Sequence, residues 1–519
     1  DIVRYTVNNQ KVALNISARE LDNSKLTVSK NSWLNNHLIF THGYGIVASR
    51  VDRITPEGLP ELVLYDIPPK YKIQIPVELP QIYYGEHNNS YIITNTKVNP
   101  GEFDYPYGDE NKYTIYNGTG GDVLDSVIKR AMYAIAFGDF NIFISNVITS
   151  TSRIHFRRNI TEMIKAMTPF LYYDSDPYVV VAGGKIYWII DGYTSSNAFP
   201  YSTPLQLEYG ESINYIRNSV KIVIDAYNGS ITYYISDPDD PVINAYSKIF
   251  KNLFLPIDKM PSELQVHLRY PEGLFNLQAQ QLLRYHMTNI NVFYNNEDLW
   301  EIPLQIYENE KEYMHSYYLV TALPGEKATE FLLILPFTPA KKDNMIGFMV
   351  ARCDMPYYGQ LLLYTLPKDK LNFGPMQIEA RINQDAEISK QLTLWSQRGS
   401  RVIRGNMLVL PVKDSILFIE PLYLKAETSE MPELKRVIVS YRDKIVMEEN
   451  LSMALSRLFT EGGGISFDYS SEYGLKDLIN KAYMHFIQAE EYQRQGNWAK
   501  YGEELKQLKD TLTALRNAR

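Results

Sequence analysis

Residues 221–235 read KIVIDAYNGSITYYI, and such a run leaves little freedom in what it builds. β-Branched and aromatic residues alternate on both sides of Asn228-Gly229, a pair that readily takes the positive φ of a hairpin turn. Residues 178–188 repeat the device around Gly183-Gly184. The middle of the chain is therefore expected to be antiparallel sheet.

Other blocks alternate around this sheet. Strands are expected at 5–16, 38–47, 61–65 and 81–94, where such residues stand between Gly, Pro and Asn. The spacing of Pro56, Pro60, Pro68, Pro69, Pro76 and Pro80 predicts long ordered connections over the surface. A helix is expected after Asp122 as its cap. Val123, Val127, Ile128, Ala131, Ala134 and Ile135 would form its apolar stripe, and Gly138 its stop. A second helix is expected through Ile160, Met163, Ile164 and Met167. Asp240-Pro241 starts a third, and helical texture with Pro breaks continues to about Met287. Strands resume at 319–366 and continue through the block that begins at residue 374, to about Tyr423. Two apolar stripes around Gly496 predict a C-terminal helical hairpin, each stripe able to cover the other.

The expected fold class is α+β, mainly antiparallel sheets with interspersed helical blocks, because the blocks do not alternate strictly. Four regions follow: β-rich 1–119, mixed 120–300, β-rich 301–430, and mostly helical 431–519. No repeat of solenoid length is visible. At 519 residues the chain has material for a large core without crosslinks. Cys353 is the only cysteine, so no intrachain disulfide forms; a buried inert thiol is its expected role. The formal charge of -8 disfavours phosphate backbones and anionic lipid, so nucleic acid is not an expected partner. No apolar run is long enough to span a bilayer.

Chemistry-bearing patterns are sparse. No nucleophile elbow, zinc helix or phosphate loop occurs. The glycines of Asn117-Gly-Thr-Gly-Gly121 lack a following lysine and read as a turn. The histidines are scattered, with His37 and His42 flanking an expected strand. Asp174, Asp176, Asp237, Asp239 and Asp240 offer the hard oxygen ligands of a Ca²⁺ site, the one metal the donor types admit. Turn and cap roles are the stronger reading for them, and no cofactor is otherwise called for. Glu379 with Asp385 or Glu387 would supply a carboxylate pair for glycosidic hydrolysis, although a solvated strand edge and loop is expected there. The 41 tyrosines suit half-buried strands and also binding surfaces. Tyr193, Tyr201 and the stretches 105–107 and 357–358 are the candidates for such a surface. Arg398, Arg401 and Arg404 would hold a carboxylate or phosphate, or pair with the protein's own acids.

One block carries a likeness. GPMQIEARINQDAEISKQLTLWSQRGSRVIRGNMLVLPVKDSILFIEPLYLKA, residues 374–426, resembles the signature of uncharacterised protein family 0182, large bacterial membrane proteins. SWLNNHLIFTHGYGIVAS, DSDPYVVVAGGKIYWIIDGYT and GNWAKYGEELKQL resemble family text in family order. The resemblance implies a soluble region that follows membrane helices and faces the extracytoplasmic side of the cell membrane. The opening residues, read as a strand entered mid-protein, agree with a piece of a longer chain. A binding or assembly module is then expected, with the parent's membrane helices, an envelope protein or a cell-wall glycan as partner. The alternative is a hydrolase or transferase on envelope polymers with a carboxylate or calcium-assisted site. Enzyme activity is left open, with the balance against it.

Overall fold

Both central hairpins form, and they join one sheet. Tyr178–Ala182 pairs with Lys185–Ser196, which pairs with Tyr215–Asp225, which pairs with Ile231–Ile235, all antiparallel. At Gly183-Gly184 the loop has two residues, φ 54° and 75°, the geometry glycine tolerates best. The second turn is longer than its Asn-Gly pair suggests. Its ladder ends at Ile224 opposite Ile231, and the Asp225 carboxylate accepts the N–H groups of Tyr227 and Asn228. The side-chain acceptor adds to the backbone bonds that close the turn, Gly229 N–H on Asp225 O at 2.8 Å and Asp225 N–H on Ser230 O at 3.0 Å.

This is a computed structural model. It describes the chain apart from residues 23, 24, 26–31, 88–89, 207–211, 397–398, 413–414, 427–430, 461–481, 484, 490–491, 495–496 and 518–519. The chain divides into a unit Asp1–Leu451 and a unit Ser452–Arg519. In the first, a five-stranded antiparallel sheet covers the first 71 residues, its strands in sequence order. Leu14 and Ile16 of that sheet share a core with Trp188 and Ile222 of the central one. A third sheet holds Tyr317–Ala322, Thr329–Pro339, Gly347–Arg352 and Leu361–Thr365. A fourth holds Ser400–Arg404, Leu408–Val412, Ser415–Ala426, Glu433–Tyr441 and Lys444–Glu448. Among the described strands one pair is parallel, Ile231–Ile235 with Phe254–Pro256. The class is α+β.

The helices of this unit are α1 Val127–Phe137, α2 Asn141–Ile144, α3 Ile160–Met167, α4 Pro241–Ile249, α5 Ser262–Gln265, α6 Glu272–Tyr285, α7 Ile290–Asn295, α8 Pro375–Gln384 and α9 Ala386–Trp395. Helix α10, Leu451–Thr460, begins at its last residue, and α11, Trp498–Asn517, lies in the second unit. Asp240 caps α4 as expected, and Gly138 ends α1 at φ 64°. The first stripe of the expected C-terminal hairpin, with Gly496, lies largely outside the described residues. No described helix is long and apolar enough to cross a membrane.

Three expectations are corrected. Ser126, not Asp122, caps α1; Asp122 sits in a two-residue strand, Asp122–Val123, against Arg153 and Ile154. Residues 38–47 are not one strand: Asn35–Ile39 is a wide helical turn closed by Phe40 N–H on Asn35 O at 2.8 Å. The first half of the signature block is helical, α8 and α9, rather than strand edge and loop. Pro375 begins α8 and Asp385 caps α9, accepting from Glu387 and Ile388 N–H. Ile378 and Ile382 then pack on Phe418 and Leu422 of the fourth sheet at helical spacing.

Candidate functional site

Several charged groups in this fold are turned inward and paired. The densest set lies where the central sheet meets α6 and the third sheet. Lys221, fully buried on Tyr215–Asp225, pairs with Asp191 on the neighbouring strand, its ammonium 5.1 Å from the Tyr358 ring centre. Arg269 bonds Asp176 at 2.6 Å and lies over the rings of Tyr178 and Tyr318 at 4.1 and 5.0 Å. The Tyr193 hydroxyl donates to Asp174. Helix α6 reaches this acid closely: a Cβ on Gly273 would stand 2.7 Å from Asp174 Oδ2. Burial lifts the carboxyls of Asp174 and Glu272 above the usual range. Cys353, buried beside them, takes the Tyr270 N–H at 3.3 Å, and burial pushes its thiol up to about 11. A thiol held neutral in this way is a poor nucleophile.

The signature block builds a second set. Arg404 reaches both oxygens of Glu420, at 2.5 and 2.9 Å, and also bonds Glu379 on α8 and Asn383 at 3.2 Å. All three charged groups are buried. Burial, then the charge of Glu420, raises the Glu379 carboxyl to about 8. The arrangement ties α8 to strands Ser400–Arg404 and Ser415–Ala426. A cleft beside the start of α8, lined by Glu301, Tyr313, Asp343 and Met376 among others, does not include Glu379.

A third set surrounds His42. Its Nδ1 meets Thr41 Oγ1 at 2.8 Å and its Nε2 meets Asp104 at 3.2 Å, while Glu102 accepts the hydroxyls of Thr41 and Tyr83. A hydroxyl nucleophile must reach a substrate; here Thr41 is buried and donates its hydrogen bond to Glu102. The glycine loop packs nearby. Thr119 N–H and the Tyr116 hydroxyl bond Asn228 Oδ1, and a Cβ on Gly118 would lie 2.2 Å from that oxygen. Its glycines serve this close approach.

The remaining aspartates hold structure. Asp240 caps α4 and accepts the hydroxyls of Thr194, Ser219 and Tyr215 at 2.6, 2.6 and 2.7 Å. Asp237 pairs with Arg217 at 2.6 Å and accepts Asp239 N–H. No group of three or more metal-ligating side chains in holding geometry occurs among the described residues. Tyr193 is not a surface tyrosine: it is 2% exposed, because its strand is central in the sheet. Tyr201 is fully exposed, and Tyr357 is exposed beside half-buried Tyr358. Arg401 meets Glu308 at 3.6 Å on the surface, and Arg398 lies outside the described residues. The candidate arginines are therefore not gathered into one site.

Large apolar side chains, by contrast, stand exposed on two helical segments. On α1, Val127, Ile128, Met132 and Ile135 are 68, 73, 64 and 82% exposed, and Phe140 and Ile144 of α2 are 66 and 60% exposed. The expected stripe of α1 therefore faces outward; of its helical residues only Ala134 is buried. A second exposed set, Ile290, Tyr294 and Tyr285 on α6 and α7, is linked to the 199–203 loop by Tyr285 and Thr203 hydroxyls 2.9 Å apart. Sequence reasoning missed Lys221, Arg269 and the outward face of α1. A lysine in an otherwise apolar strand was the available signal for the first; nothing local distinguishes a covered stripe from an open one.

The model of the uncharacterised protein family UPF0182 matches residues 1–395. UPF0182 proteins of Pelotomaculum thermopropionicum and Sulfurovum sp. are 46 and 47% identical, over 99 and 96% of this chain and 57 and 55% of their own lengths. One from Methanospirillum hungatei is 50% identical over 88% of this chain and 51% of its own length. The chain thus spans little more than half of these relatives. No solved structure matches it. On the family match and these identities, the chain belongs to the UPF0182 family.

Proposed function

We propose that this region is a binding or assembly module of the cell envelope, carried by a longer membrane-anchored protein and facing the extracytoplasmic side. One observation carries the reading: the densest charged clusters are buried and paired within the fold, while the large exposed side chains of α1 and α2 are apolar. Chemistry needs groups that reach a substrate; assembly needs surface that water disfavours. The relatives' greater length supports a larger assembly around this part. Its partners would be the rest of the parent protein, an envelope protein or a cell-wall glycan.

Retention of the purified chain on isolated membrane and cell-wall fractions tests the reading. Specific retention that Val127→Ser with Phe140→Ser reduces is the expected result. Equal passage through both fractions would remove its support. The enzyme reading has one observation in its favour, the lifted carboxyls of Asp174 and Glu272. Turnover of an envelope polymer that Asp174→Asn abolishes, in a folded variant, would establish it instead.

A further inference from the structure

We infer that α1 and α2 together form a knob that docks into the interfacial layer of a lipid bilayer. The inference rests on the envelope-module reading and names which part of the surface makes contact and with what. Val127, Ile128, Ala131, Met132 and Ile135 fall within about 140° of the α1 circumference at 100° per residue, a single face. Phe140, Phe143 and Ile144 extend it onto α2.

The two cations of the knob are engaged within the chain. Lys129 is held by Val123 O at 3.1 Å, Asp125 at 3.3 Å and Asp122 at 3.5 Å. Arg130 bonds the carbonyls of Ile142, Phe143 and Ser145 at 3.2, 2.8 and 2.7 Å. Those carbonyls end α2 and would otherwise need water. Ser126 caps the start of α1, and Gly138 and Asp139 N–H close its end on Ile135 O and Ala134 O. The helix ends are thus partly satisfied within the chain, which lowers the cost of bringing the backbone to an apolar phase.

Charge complementarity separates lipid from a protein partner. A protein interface has a polar rim, with about one hydrogen bond per 100–200 Å². Here the polar groups directly behind the face are engaged within the chain. Asp139 accepts Trp33 N–H at 2.8 Å and the Tyr91 hydroxyl at 2.5 Å, and Asp122 accepts the Tyr133 hydroxyl at 2.7 Å. A bilayer asks for no rim pairing. Trp33, Tyr91 and Tyr133 stand behind the knob with their polar ends engaged, the side-chain type favoured at the lipid–water boundary. With a formal charge of -8 the chain gains nothing from anionic headgroups, so insertion must be driven by apolar burial.

Flotation of the chain with vesicles of neutral phosphatidylcholine, and of phosphatidylcholine with phosphatidylglycerol, tests this at low and high salt. Binding to both, undiminished by salt, is expected. Ile128→Ser with Ile135→Ser should lower the bound fraction about tenfold or more while leaving the thermal unfolding midpoint in place. Vesicle binding that this variant retains would overturn the inference, as would no binding to either vesicle. Binding confined to anionic vesicles and abolished by salt would also overturn it. Light scattering that shows self-association lost in the variant would assign the face to a second copy instead. Retention on envelope fractions without vesicle binding would sink the lipid inference and leave the module reading standing.

Discussion

The surroundings of Arg404 and those of Ile135 each invert the usual placement of side chains, the one burying charge and the other exposing apolar surface. Around Arg404 the fold encloses one guanidinium and two carboxylates, all nearly inaccessible. Around Ile135 it leaves six large apolar side chains at 60% exposure or more. Neither arrangement is what hydrophobic collapse alone would select. Buried ion pairs cost desolvation and are weak evidence for net stability, but they fix which element meets which. Here one bond set joins α8 to two strands of the fourth sheet. The open apolar face does nothing for the isolated fold, so its use lies in contact with something else.

The largest expected effect breaks the enclosed side. Arg404→Met removes the shared cation and leaves the buried Glu379 and Glu420 without the guanidinium that bonds them both. A loss of about 3–5 kcal/mol is expected in chemical unfolding. The double replacement Glu379→Gln with Arg404→Met should recover part of it. A variant as stable as the parent would show that the three groups are not a unit.

Close packing at the glycine loop comes next. Gly118→Ala places a methyl 2.2 Å from Asn228 Oδ1 and needs the loop or the hairpin to shift. The expected cost is about 1–3 kcal/mol, measured the same way. Gly108→Ala, with no atom within 4 Å of its Cβ but φ 60°, separates clash from backbone strain.

The pH dependence follows from Glu379. Its carboxyl stays protonated in the fold to about 8, against 4.5 in the open chain. Below 4.5 both states hold the proton and the contribution is complete. As pH rises toward 8 the unfolded chain releases the proton first, so stability falls across that window. His155, lowered to about 3 first by burial and then by Arg158 and Arg153, has the opposite sense. Below 6.5 the unfolded chain takes up a proton that the fold refuses, so stability falls again as pH drops. Thermal midpoints of the parent and of Glu379→Gln, taken from mildly acidic to mildly basic pH, check this. The Gln variant should lose the decline on the basic side and keep the one on the acidic side.

Legibility in the sequence followed locality. The hairpin at Gly183-Gly184, the cap at Asp240 and the stop at Gly138 rest on residues within a few positions of one another, and each formed. The signature helices were misread because IEARINQDAEIS has strand-like apolar residues whose helical spacing matters only against Phe418 and Leu422. The site residues depended on long reach. Tyr193 became a core residue through pairing with a strand distant in sequence, its neighbour Gly192 lying opposite Val220, 28 positions on. Arg404 found its acids 16 and 25 residues off. Its pairing with internal acids was one of the two readings open to it; which acids, and that they would be buried, needed the fold.

The smallest expected effect sharpens the open side. Ile135→Ser removes a large apolar side chain from a helix, a change that in a core costs several kcal/mol. At 82% exposure Ile135 has little to lose on this account, and serine lowers helix propensity only by a few tenths. A change within about 0.5 kcal/mol is therefore expected in the isolated chain. Ile142→Ser, buried on the other side of the same hairpin, should cost several times more. If Ile135→Ser were as destabilising as Ile142→Ser, the face would already be covered within this chain, and the contrast with Arg404 would vanish. If the two differ as expected, the apolar face is free to meet a partner, and its variants can be assayed for binding without loss of fold.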